Sequence, residues 1–87
     1  MDALFHNRKV KVWKISDTLS TDEWVQEAFR ESRIRWLKFD GLRLQVMDNL
    51  IPYSGSIGQY LIYDSKGDRY SIVNNLSFLE WYDPVAK

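Results

Sequence analysis

The chain has no cysteine, one histidine, two prolines and four glycines in 87 residues. Without cysteine there can be no disulfide framework, thiolate metal site or thiol nucleophile. That absence suits a reducing compartment. Net charge is also missing, because twelve basic residues balance twelve acidic ones. The balance argues against a strongly cationic nucleic-acid binder and against an acidic nucleic-acid mimic, and it leaves self-association open. No apolar run approaches the ~18 residues of a membrane span, so no membrane association is expected. Met1 to Asn7 lacks a basic leader followed by an apolar core, so no signal peptide is expected and the default location is cytoplasmic.

Aromatic residues are plentiful: four Trp, five Tyr and four Phe. Each buries about 150–250 Å² when packed, which lets one short domain spanning residues 1–87 build a core without cross-links. Residues 1–7 show no period and are expected to fray. From Arg8 to Ile15, Val10 and Val12 alternate with Lys9 and Lys11, as in a half-buried strand. Trp13 and Ile15 fall on the lysine side, which requires either a bulge or cover on both faces. Lysines along one side also suit an edge or near-edge strand.

A helix is expected over about 21–31, with Ser20 as N-cap and Glu23 completing a capping box. Leu19 and Trp24 are placed to form a hydrophobic staple across that start. Trp24, Val25, Ala28 and Phe29 share one helical face. Next come two apolar runs, Ile34 to Phe39 and Leu42 to Met47, joined by Asp40-Gly41. That dipeptide predicts a two-residue hairpin turn. Phe39 would then face Leu42, Leu37 would face Leu44, and Arg35 would face Val46 at the rim of the inward face. Lys38 and Arg43 would lie opposite each other as a like-charge pair.

Asp48 to Ile57 reads as one long connection containing Pro52 and Gly55. The last third, Gly58 to Val85, is the best bounded. It contains a strand through Tyr60-Leu61-Ile62-Tyr63, a turn at Ser65-Lys66-Gly67-Asp68 and a strand through Tyr70-Ser71-Ile72. Gly67 is the expected left-handed position of that turn. Asn74 or Asn75 would cap a short helix carrying Phe78 and Tyr82 on one face, and Pro84 would end it. The fold class is α+β: a twisted antiparallel sheet of about five strands, one main helix packed on it and a short C-terminal helix.

From Ile57 onward the chain resembles a group of small bacteriophage and prophage proteins. The matching residues are Gly58, Tyr60, Leu61, Ile62, Lys66, Gly67, Tyr70, Ile72, Phe78, Tyr82, Pro84 and Val85. Gln59 stands where the group has an acid. Val10-Lys11-Val12-Trp13 and the helix with Trp24-Val25 are similar in placement. The resemblance implies an α+β fold and a phage context, hence the cytoplasm of a bacterial host cell, and supplies no mechanism.

Candidate catalytic groups are sparse. His6 has no acid or nucleophile beside it in sequence, and no His/Cys cluster suggests a metal. Asp22 with Glu23, and Asp64 with Asp68, suit a helix start and a turn better than acid–base work. Ser54-Gly55-Ser56 lacks the Gly-x-Ser-x-Gly frame of a nucleophile elbow. Gly55 to Gly58 is too short to cradle phosphate. The expectation is a non-enzymatic protein with no cofactor and no metal.

The one functional constellation is Arg33, Arg35, Trp36, Lys38 and Arg43. It suits an acidic protein partner, with Arg35 and Trp36 as anchors. The leading expectation is therefore an accessory protein that binds a host or phage protein, for instance to inhibit a host function or defence system. Nucleic-acid binding, with phosphate contacts and base stacking on Trp36, is an alternative. A minor virion or assembly component is another, and a homo-oligomer is open. The plainest alternative is a solvated strand face, with Trp36 covered by the sheet's own helix.

Overall fold

A computed structural model describes residues 1–18, 20–38, 41–47 and 53–84. Within them run β1 (Asp2–Phe5), β2 (Arg8–Lys14), α1 (Glu23–Arg30), β3 (Ile34–Lys38), β4 (Leu42–Val46), β5 (Tyr53–Ser56), β6 (Tyr60–Asp64), β7 (Arg69–Val73), α2 (Asn75–Trp81) and β8 (Asp83–Pro84). The α+β class holds. The single sheet does not: there are two antiparallel sheets. The large one has the order β7-β6-β2-β1, with the two-residue β8 on the edge of β1. The small one has the order β3-β4-β5.

Side-chain alternation in the large sheet feeds two cores, because both of its faces are covered. Val10, Val12, Tyr60 and Ile62 point to one side, where Phe78 and Tyr82 of the α2 segment pack on them. Trp13, Leu61 and Tyr70 point to the other, against Val25 and Ala28 of α1 and Ile34, Leu44 and Val46 of the small sheet. Trp13 is thus accommodated by cover on both faces. The pairing of Lys11 to Lys14 with Tyr63 to Tyr60 runs through without a bulge. Nor is β2 an edge strand: it lies between β6 and β1, and Lys9 reaches solvent while pairing with Asp2 at 3.4 Å.

The N-terminus is not frayed. Asp2–Phe5 pair with β2 through a two-residue turn in which His6 and Asn7 have φ of 49° and 63°. Positive φ at both central residues is the type I′ signature. Asn tolerates it, but the dipeptide is a weak hairpin signal beside Asn-Gly.

Helix α1 begins later than the capping box implied. Asp22, not Ser20, is the N-cap residue, and its side chain makes no capping bond. Ser20 Oγ instead accepts from the Asp22 N–H at 3.1 Å, a local turn one step before the helix. Leu19, half of the expected staple, lies outside the described residues. In α2, Asn74 Oδ1 accepts from the Ser77 N–H at 2.7 Å, so Asn74 is the cap. In the β6–β7 turn the left-handed residue is Asp68, with φ 51°, rather than Gly67.

Part of the expected long connection is strand β5, paired to β4; residues 48–52 lie outside the described residues. Gly55 in β5 is buried, and a Cβ there would meet Ile72 Cγ2 at 2.6 Å and Cδ1 at 2.9 Å. The missing side chain lets the small sheet approach β7.

Candidate functional site

The β3–β4 register decides where every candidate residue points. Ile34 faces Val46, Arg35 faces Gln45, Trp36 faces Leu44, Leu37 faces Arg43 and Lys38 faces Leu42. Three residues, 39–41, separate the strands instead of two. The predicted register is therefore off by one, and a one-residue slip reverses the face of every side chain on β3. The physical reason is burial: Ile34, Leu44 and Val46 are all 0% exposed under α1. The predicted register would have put Arg35 opposite Val46 on that inward face. The expected Lys38–Arg43 like-charge pair is absent, since each cation faces a leucine.

The five candidate residues separate into four places. Trp36 points inward, 5.8 Å from Phe29 and 6.2 Å from Trp13 between ring centroids. This is the cover by the sheet's own helix that the plainest sequence reading allowed. Lys38 is exposed at the end of β3.

Arg33 precedes β3 and serves as a cross-link. Helix α1 closes with Ser32 in the left-handed region at φ 60°, the Ser32 N–H donating to Phe29 O at 3.1 Å and the Arg33 N–H to Ala28 O at 2.9 Å. This is a Schellman closure, unusual in having serine where glycine is common. It delivers Arg33 to the β6–β7 turn. There Nη1 donates to Asp68 Oδ1 at 2.9 Å, and the guanidinium lies 4.6 Å from the Tyr70 ring centroid. Tyr63 OH donates to the same Asp68 oxygen at 2.7 Å. The Arg33 hydrogen bond, followed by that of Tyr63, holds the Asp68 carboxyl below its usual range. The Asp68 contact and burial push the Tyr63 phenol up. Tyr53 OH donates to Tyr70 O and is a second tie between the sheets.

Arg35 and Arg43 occupy the outer face of the small sheet, with Leu37, Gln45, Ser54 and Ser56. Among the described residues neither helix packs there. Arg35 Nε donates to Gln45 Oε1 at 2.6 Å. Arg43 Nε donates to Ser54 Oγ at 3.1 Å and Nη1 to Ser56 Oγ at 3.0 Å. Both guanidinium groups are thus held by neutral acceptors, which fix their planes without cancelling their charge. Sequence reasoning missed Gln45, Ser54 and Ser56. The available signal was the period-two spacing of Ser54 and Ser56, hidden by reading 48–57 as a connection.

His6 sits in the β1–β2 turn with its ring edge-on to Phe5, far in sequence and in sheet from this face. Among the described residues no group of three or more His, Asp or Glu could hold a metal ion, and no helix is long and apolar enough to cross a membrane. No protein-family model, curated protein or solved structure matches the chain.

Proposed function

We propose that this chain is a non-enzymatic binding protein whose outer small-sheet face grips an acidic segment of a protein partner. One observation carries the reading: Arg35 and Arg43 are pre-positioned on neighbouring strands by neutral side chains, so both keep their charge for an external carboxylate. Guanidinium matches a carboxylate in a planar fork, and less rotamer freedom is lost on binding when the fork is already held. Leu37 adds apolar area between them. Protein is favoured over nucleic acid because Trp36, the ring that base stacking would need, points to the opposite face. Net neutrality points the same way. On the resemblance to small phage and prophage proteins, the proposed setting is the cytoplasm of a bacterial host cell and the proposed partner a host or phage protein.

The experiment is capture from a nuclease-treated bacterial lysate with the parent and with the Arg35→Ala/Arg43→Ala variant, followed by titration of the retained protein. The variant should bind at least about 30-fold more weakly, the ~2 kcal/mol of a hot-spot loss. Folding should be preserved by circular dichroism, because both side chains leave the core untouched. A partner held equally by both proteins would remove this face. Retention of nucleic acid in an untreated lysate, falling by powers of ten with salt, would replace the protein reading with the nucleic-acid one.

A further inference from the structure

On the opposite side of the small sheet from Arg35 and Arg43, a cavity of about 190 Å³ opens between α1, the end of β2 and β3. Its walls are the rings of Trp13, Phe29 and Trp36, and Asp17 borders it. The Trp13 plane stands at 79° to Phe29 and 69° to Trp36, while Phe29 and Trp36 are 32° apart. The three rings therefore form a corner rather than a stack. Their centroids lie 5.8–6.2 Å from one another, so one small group in the corner is within reach of more than one ring.

Aromatic faces carry negative potential and attract a cation within about 6 Å of the centroid. Asp17 adds a full negative charge of the same sign preference. Among the described residues no basic group pairs with it. The other polar groups of the rim are already engaged. Ser20 Oγ accepts from the Asp22 N–H, Gln26 Nε2 donates to Ser20 O at 2.8 Å, and the Ser16 and Thr18 hydroxyls bond each other at 2.9 Å. These bonds hold the loop that carries Asp17. Arg30 borders a neighbouring hollow that shares Phe29 and Trp36, and its charge is paired with Glu27 at 3.0 Å.

We infer that the Trp13–Phe29–Trp36 corner with Asp17 is a binding site for an alkylammonium head group. The size fits a head group better than a whole nucleotide or drug-sized ligand, whose pockets run to about 300–1,000 Å³. Cation–π attraction and the carboxylate select charge, and the indoles prefer methylated nitrogen to a strongly hydrated ammonium. The head group is either a free small cation of the choline type or a trimethylated lysine side chain of a protein.

The test uses the whole chain labelled with nitrogen-15 and follows the four indole N–H signals. Tetramethylammonium chloride is titrated at constant ionic strength, with tert-butanol as the neutral probe of similar shape. Trp13 and Trp36 should shift while Trp24 and Trp81 stay, and the cation should bind at least about tenfold tighter than the alcohol, a ~1.4 kcal/mol preference. Asp17→Asn, at an exposed position, should keep the fold and lose most of that preference. Equal binding of cation and alcohol, an equal response of all four indoles, or an unchanged preference in Asp17→Asn would overturn the site. A second arm compares free choline with a short peptide carrying trimethyllysine. Tighter peptide binding assigns the head group to a protein side chain, and equal or tighter choline binding assigns it to a free cation. Silence from every probe overturns the inference.

Discussion

The β6–β7 hairpin is walled on both faces, by α2 on one side and by α1 with the small sheet on the other. The β3–β4 hairpin is covered on one face and open on the other. In β6–β7 every side-chain phase meets protein, so Tyr60 and Ile62 feed one core while Leu61 and Tyr70 feed the second. In β3–β4 only one phase can be apolar without penalty, and the other is where Arg35 and Arg43 gather. Cover thus settles which hairpin builds the fold and which presents a surface. It also shows that a turn motif is a weaker guide to register than the burial of one whole strand face. Asp40-Gly41 argued for one pairing, while the burial of Ile34, Leu44 and Val46 enforced the other.

The doubly walled hairpin can be attacked through its lid. Phe78 is 2% exposed and stacks on Tyr60 at 4.0 Å and Tyr82 at 5.5 Å. Phe78→Ala should cost about 3–5 kcal/mol in urea unfolding. A midpoint equal to the parent's would mean that α2 does not wall this face.

The singly covered hairpin is tested by two leucines one strand apart. Leu44 faces the core, and Leu44→Ala should lose about 2–5 kcal/mol. Leu37 faces outward and is half-buried, and Leu37→Ala should lose less than about 1 kcal/mol. Similar large losses at both positions would support the two-residue turn and reverse the faces.

Helix starts sharpen the same contrast between local signal and tertiary outcome. Asn74→Ala removes a real cap from α2 and should cost about 1 kcal/mol, whereas Ser20→Ala removes only a pre-helical turn and should cost a few tenths. Equal midpoint shifts would restore Ser20 as the cap of α1.

The smallest expected effect is pH-dependent and lies where the two hairpins meet. Asp68 has its folded pKa lowered from 3.8, first by the Arg33 hydrogen bond and then by Tyr63. A lowered carboxyl pKa stabilises the fold above the unfolded value and loses that contribution as pH falls through the folded one. The Tm gap between the parent and Asp68→Asn should therefore be constant near neutrality and close below about pH 4. A gap that persists unchanged into acid would show that the Arg33–Asp68 link does not couple the sheets.

Much of the secondary structure was legible because its causes act within a few residues. Alternation marked β2, β6 and β7, helical spacing put Trp24, Val25, Ala28 and Phe29 on one side of α1, and Asn74 announced α2. Of the candidate site, Arg35 and Arg43 were legible as cations but not as neighbours on one face; the two-residue turn pointed Trp36 outward, while the plainest reading, with Trp36 under the sheet's own helix, matches its place beside Phe29. Gln45 carried no local signal, and the period-two spacing of Ser54 and Ser56 marked a strand but not its role, because a hydroxyl or amide becomes a guanidinium holder only when its strand is paired.

By itself, then, the chain determined its α+β composition, most of its strands and the apolar stripe of its main helix, since periodicity and capping are properties of adjacent residues. Only the tertiary structure decided that the strands split into two sheets, that Asp2–Phe5 joins one of them, and that Arg33 reaches Asp68 thirty-five positions away. The physical reason is range. Register and sheet membership follow from which face finds cover, and that cover comes from residues far along the chain.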